Sequence, residues 1–236
     1  MSFEKNLLIA LLKLSQDGSV KQKDVSFEAH IPLSVTLNLL KKLQNENFIY
    51  LGDNSIEVNS EYRLQLAIKA MGLGADIKDI CDFLRWQEFE AIAAHSLELN
   101  CYVTKKNVRF KHDGKRWEID VVGCRKPLVM CIDCKHWRRG ISPSVVRKMA
   151  IAQSLRVKAF AASFPIAAAN FECLKWQSAK FIPIILSLVP FREKFIEGVP
   201  VVPVLTLRDF IDQLPLNVEL THYIQRKLGH SRNLNT

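Results

Sequence analysis

Apolar positions recur every three or four residues through the first third of the chain, then give way to short continuous runs and alternation. The first pattern predicts a helix from Glu4 to Leu14, ending before Asp17-Gly18. A shorter segment follows, Gln22 to Ala29, with Val25 and Phe27. His30-Ile31-Pro32 makes a turn. Ser34 is placed to cap a third helix, Val35 to Asn45, with Leu37, Leu40 and Leu43 on one side. Phe48 to Leu51, a Gly-Asp-Asn-Ser turn and Ile56 to Val58 read as a hairpin. Residues 1–60 therefore form a small domain, and 61–76 a linker helix ending near Met71-Gly72-Leu73-Gly74.

From residue 77 to 228 the pattern is that of a larger α/β domain. Trp86, Phe89, Ala93 and Leu97 space an amphipathic helix. Two apolar strands lie between Trp117 and Trp137, joined by Arg125-Lys126-Pro127, a turn short enough for an antiparallel hairpin. Pro143 to Leu155 reads as a helix with Val146, Met149 and Ala150. Val157 to Ser163 reads as a buried strand, Ala167 to Ser178 as a helix carrying Trp176, and Phe181 to Leu188 as another strand. Val199 to Thr206 is expected to be extended and Leu207 to Leu214 helical. The polar tail, residues 229–236, is expected to fray. The sum is a mixed sheet flanked by helices.

The hairpin carries ionisable groups where half-buried strands normally have none. Asp120 lies in its first strand, and Asp133 and Lys135 in its second. Alternation sends Asp133 and Lys135 to the same face, and a short turn sets Asp120 opposite Asp133. Two carboxylates that close repel unless a cation or a shared proton lies between them. A divalent-metal site with a catalytic lysine fits that arrangement. The competing structural reading is an inert network in which Lys135 or a nearby arginine pairs with the acids. Buried ion clusters are costly and weak stabilisers, which favours a site. Upstream, Glu90 borders the apolar stripe of its helix and leans inward, whereas Glu88 is turned away towards solvent. Glu118 shares a face with Asp120 as a candidate further ligand, and Gln153, on the crossover helix, is a candidate polar residue facing the site.

The 236-residue chain has a net charge of +9, but the charge is uneven. Thr104 to Lys158 holds fifteen Lys and Arg against four acids, a balance of +11, so the remainder sits near −2. A basic block around paired carboxylates points to a polyanion. Lys105, Lys106, Arg109, Lys111, Lys115, Arg116, Arg138, Arg139, Arg147 and Lys148 are the candidate phosphate contacts. The apolar runs are broken by proline and too short to span a bilayer, so no membrane role is expected and the chain reads as cytoplasmic. Six cysteines in a chain of this size do not read as a secreted disulfide framework. Cys131 and Cys134, three apart on one strand, point to opposite faces and do not share a zinc ion there.

A helix with an inward Glu, a strand with Asp, then a strand with Asp-X-Lys is the order seen in the PD-(D/E)XK nucleases. The stretch from about Ile77 to Leu188, with "FE" at 89–90, "EID" at 118–120 and "DCK" at 133–135, resembles the Mrr-like and archaeal Holliday-junction-resolvase-like members. Ile119 stands where the superfamily's eponymous proline would be. The resemblance implies a restriction-endonuclease-like fold and a Mg²⁺-dependent deoxyribonuclease, with Mn²⁺ as a substitute. Asp120, Asp133, the Cys134 carbonyl and Glu90 would hold the metal, and Lys135 would orient the attacking water. The partner would be DNA, whether branched, damaged or duplex, and a homodimer is compatible with it. The alternative is a non-catalytic DNA-binding regulator or a scaffold of a nucleic-acid-processing complex.

Residues 1–60 resemble a winged helix-turn-helix, whose third helix would read a major groove with Thr36, Asn38, Lys41 and Lys42. Yet residues 1–75 balance eight basic against eight acidic residues, which suits protein docking as well as DNA.

Overall fold

Leucines at helical spacing build the first half of the molecule. In the computed structural model, which describes residues 2–76, 79, 80, 82–135, 141–164, 176–188 and 190–228, α1 (Phe3–Leu14) is capped by the Ser2 side chain, which accepts from the Lys5 N–H. It buries Leu7, Leu8, Leu11 and Leu12. The helices α2 (Gln22–Ala29) and α3 (Leu33–Asn45) follow. Pro32, not Ser34, is the residue preceding α3. Ser34 lies inside the first turn, because proline's fixed φ suits a helix start and moves it back two residues. Three short strands, β1 (Val20–Lys21), β2 (Ile49–Leu51) and β3 (Ser55–Val58), form an antiparallel sheet in the order β1-β3-β2. β1 is an addition to the expected hairpin, with Val20 registered against Ile56.

The helix expected as a linker, α4 (Ser60–Gly72), buries Leu64, Leu66, Ala67 and Ala70. Its Arg63 reaches α1, accepted by the Leu12 carbonyl at 3.0 Å and by the Ser15 hydroxyl. The chain divides into two compact units, Met1–Ile92 and Ala93–Thr236, and the division falls inside α5 (Trp86–Leu99). The sequence reading puts its boundary at 76/77 instead.

The second unit is a seven-stranded mixed sheet. β4 (Val103–His112), β5 (Lys115–Arg125), β6 (Leu128–Lys135), β7 (Ser178–Ser187), β9 (Val199–Pro203) and β8 (Phe195–Ile196) run in the spatial order β4-β5-β6-β7-β9-β8, and β10 (Ile224–Lys227) also pairs with β7. β5 and β6 are antiparallel, with Arg125 opposite Leu128, so only Lys126 and Pro127 lie between the paired residues. β6 and β7 are parallel, joined through α6 (Pro143–Ser163). The remaining helix is α7 (Leu207–Asn217).

Two elements differ from expectation. Val157 to Ser163 is not a strand but the last two turns of α6. A short apolar run has no period of its own. Here Val157, Phe160, Ala161 and Phe164 fall at three- and four-residue spacing and pack with Phe110, Val122, Cys131 and Phe181. β4 is a strand the apolar pattern does not reveal, since five of its ten residues are Lys, Arg or His. It pairs with β5 through a turn at Asp113-Gly114, both with positive φ (48° and 73°). On the face of β5 away from α6, Gly123 meets Leu97 of α5, where a Cβ would come within 2.8 Å of a leucine methyl. Of the helix expected from Ala167 to Ser178, residues 167–175 fall outside the described residues, while Trp176 and Gln177 form a bend rather than a helical turn and Ser178 opens β7; the polar tail also falls outside the described residues.

Candidate active site

The β5–β6 ladder ends at Val121 opposite Ile132. Carried one step further, that register sets Asp120 opposite Asp133. There the strands stop exchanging ladder bonds, and the Asp120 carboxylate takes over: its Oδ2 accepts from the Cys134 N–H at 2.7 Å. Asp133 is 4% exposed. Its Oδ2 pairs with Lys135 Nζ at 2.7 Å and its Oδ1 with Arg156 at 2.7 Å. Arg156 is in turn accepted by Gln153 Oε1 at 2.5 Å. Gln153 is fully buried and donates to the Cys131 carbonyl at 2.8 Å. Asp133, Lys135, Gln153 and Arg156 thus form one bonded cluster beside Asp120, at the mouth of a strand fork.

Asp133 is therefore met by two cations of the protein, Lys135 and Arg156, while Asp120 Oδ2 takes the Cys134 N–H. Lys135 and Gln153 are where the sequence reading puts them. Arg156 is missed by it, because a helix ending at Leu155 leaves the arginine in a loop. The i, i+3 spacing of Gln153 and Arg156 on a longer helix is the signal that finds it.

Glu90 lies in the first unit, 7% exposed, and accepts from the Trp86 indole N–H one turn back at 2.5 Å. Glu88 corrects the expectation of a solvated side chain. It is 3% exposed, pairs with Arg63 at 2.5 Å, and accepts from the Arg85 N–H at 2.9 Å. The helical wheel assumes water on that side of α5, whereas Arg63 of α4 is there. The acceptance from Arg85 is the backward reach of a third-position glutamate in a capping box. If the chain cleaves nucleic acid as the resemblance implies, Glu90→Gln is expected to lower cleavage with little loss of stability, and Glu88→Gln to lower stability first. Cleavage assays run alongside thermal unfolding separate the two, and a greater activity loss in folded Glu88→Gln than in Glu90→Gln would reverse the assignment.

Glu118 pairs with Arg109 at 3.0 Å on the surface of the β4–β5 ribbon, and the carboxylate raises the arginine's pKa. Lys106, Lys111, Lys115 and Arg116 are exposed on the same ribbon, and Lys105 is half-buried. Lys111 stands directly opposite Arg116, a like-charged rung that costs stability unless an anion covers it. Arg147 pairs with Glu197 at 2.6 Å, and Lys148 is exposed on α6. Arg138 and Arg139 lie outside the described residues. In the first unit, Thr36 is fully buried and so is not a groove contact. Lys42 is drawn to Glu4 at 3.3 Å, while Asn38 and Lys41 are exposed.

Among the described residues no group of three His, Cys, Asp or Glu side chains is assembled to hold a metal. The donors at hand are two carboxylates and main-chain carbonyl oxygen. Such a set fits a hard ion that keeps several of its own waters and does not fit zinc. No described helix is long and apolar enough to cross a membrane.

These features define a mixed α/β protein with a polar fork at the sheet. No family model matches it. The chain belongs to the same family as an uncharacterized protein of Archaeoglobus fulgidus, to which it is 30% identical over 132 residues, 56% of this chain and 92% of that protein. Two solved structures overlap it. A protein of unknown function, AF1548, is 22% identical with a TM-score of 0.29 over 44% of this chain and 49% of that one. VC1899 from Vibrio cholerae is 16% identical with a TM-score of 0.40 over 92% and 50%. The chain spans about half the length of each, and likenesses this loose carry no argument.

Proposed function

We propose that the chain is a metal-dependent endonuclease acting on DNA, with a restriction-endonuclease-like second unit and a winged-helix-like first unit. The observation that carries this reading is the fork: Asp120 and Asp133 opposite each other where β5 and β6 part, with Lys135 bonded to Asp133. The order of helix, Asp strand and Asp-X-Lys strand supports it, with β4 inserted ahead of the Asp strand. Asp120, Asp133 and the Cys134 carbonyl would hold Mg²⁺, and the resemblance adds Glu90 as a candidate catalytic acid. The bound ion would polarise the scissile phosphate and acidify a water. Lys135 would orient that water and offset the negative charge that develops on the phosphate. Asp133, gripped from both sides, keeps Lys135 at that position.

The exposed cations of the β4–β5 ribbon would carry the backbone. Lys111→Ala with Arg116→Ala is expected to weaken duplex binding and to reduce the log–log salt slope by about two, since each phosphate contact contributes about 0.9. An unchanged slope would remove the ribbon from the interface.

A specific observation also favours a second reading, a DNA-binding regulator that does not cleave. Both oxygens of Asp133 are already paired within the protein, by Lys135 and Arg156. Branched, single-stranded and duplex substrates incubated with Mg²⁺, Mn²⁺ or EDTA decide between them. Cleavage that EDTA abolishes supports the nuclease, and tight binding without cleavage of any substrate supports the regulator.

A further inference from the structure

We propose that Arg156 is the resident counter-cation of the fork, and that a divalent ion enters by displacing its guanidinium from Asp133 Oδ1. The proposal rests on the nuclease reading and adds to it what the metal must compete with. Both oxygens of Asp133 are taken, Oδ2 by Lys135 and Oδ1 by Arg156, each at 2.7 Å. A metal that binds Asp133 has to win one of them. Lys135 sits two residues along the same strand, on the same face. Arg156 arrives from α6, is 23% exposed at its side chain, and has a second acceptor already in hand. That acceptor is Gln153 Oε1. The amide is oriented by its own donations to the Cys131 and Ile184 carbonyls, at 2.8 and 3.5 Å, so its oxygen is turned to the arginine. Gln153 is therefore a positioning residue: it ties Arg156 to the main chain of β6 and keeps a bond to it when Asp133 lets go.

The charge count gives the direction. Among the described residues, Asp120 and Asp133 against Lys135 and Arg156 sum to zero, and removing Arg156 makes that sum one charge more negative. A neutral fork holds a divalent cation weakly, and a negative one holds it more tightly.

Mn²⁺ binding to the full chain without nucleic acid, read from the free-ion electron paramagnetic resonance signal, tests this independently of activity. Arg156→Gln, checked for folding by circular dichroism, is expected to tighten the apparent dissociation constant about tenfold or more. Arg156→Lys keeps the charge and should stay within about threefold of the parent. Lys158→Gln, an exposed charge two residues away on the same helix, should change nothing, and Asp120→Asn should weaken binding. If Asp120→Asn weakens binding but Arg156→Gln leaves it unchanged or weaker, the counter-cation role is wrong and the metal site stands. Equal tightening by Arg156→Gln and Arg156→Lys would make the effect one of shape and also overturn it. If neither the parent nor Arg156→Gln binds Mn²⁺, the metal reading fails and takes this inference with it.

Discussion

Asp120→Asn and Lys135→Ala are each expected to reduce Mg²⁺-dependent cleavage by about 10³-fold or more, the scale of losing a metal ligand or a group that offsets transition-state charge. Asp133→Asn should do the same, and asparagine is the right replacement. Alanine at 133 would leave Lys135 and Arg156 facing each other with no carboxylate between them, so a loss of activity would be mixed with a loss of fold. Two closely placed acids considered alone lead one to expect that deleting either relieves repulsion. The cations bonded to Asp133 reverse that expectation. Single-turnover cleavage at saturating Mg²⁺, on variants with parental circular dichroism, makes the measurement. Undiminished cleavage by Asp133→Asn would remove the fork from the chemistry.

Arg63→Met should destabilise the first unit by about 3–5 kcal/mol, the usual cost of leaving a buried charge without its partner. Arg63 is 2% exposed and serves Glu88, Ser15 and the carbonyls of Leu12 and Phe83. Its loss strands Glu88 and unpins α4 from α1. Hydrogen exchange at the α1 and α4 amides of the full chain reads this unit by itself. The comparison is Arg109→Ala, whose pairing with Glu118 is solvent-exposed and expected to matter little. Equal protection in both variants would show that the Arg63 network is not what holds the helices.

How much of this was legible in the sequence depends on the kind of signal. The helices of the first unit announce themselves because leucines mark one face, and α2 (Gln22–Ala29) is found at its full length. The β5–β6 hairpin and the Asp120–Asp133 register follow from a short turn and strict alternation. Pairings that depend on another element were not legible. Nothing in the local pattern at Glu88 reveals that Arg63, 25 residues earlier, will neutralise it. Arg156 was hidden by a wrong period: Val157 to Ser163 is apolar enough for a strand, and its three- and four-residue spacing was outweighed. The ring contacts of Phe160 with Phe110, Phe164 and Phe181 show the helical phase. β4 was hidden by its charge, although Asp113-Gly114 is a strong hairpin-turn signal that its flanking lysines and arginines obscured.

The carboxylate of Asp120 stands where a strand-to-strand bond would otherwise be, accepting from the Cys134 N–H. This makes it a piece of the sheet, whatever chemistry it also serves. A relative that had given up its chemistry would still need something to satisfy that N–H, and an aspartate already does it. Asp133, holding Lys135 and Arg156, has the same tenure. Persistence of these acids in other members of the family is therefore no sign of activity. The informative position is Glu90, whose only described bond is to the indole one turn before it on its own helix, and whose loss would cost the scaffold least.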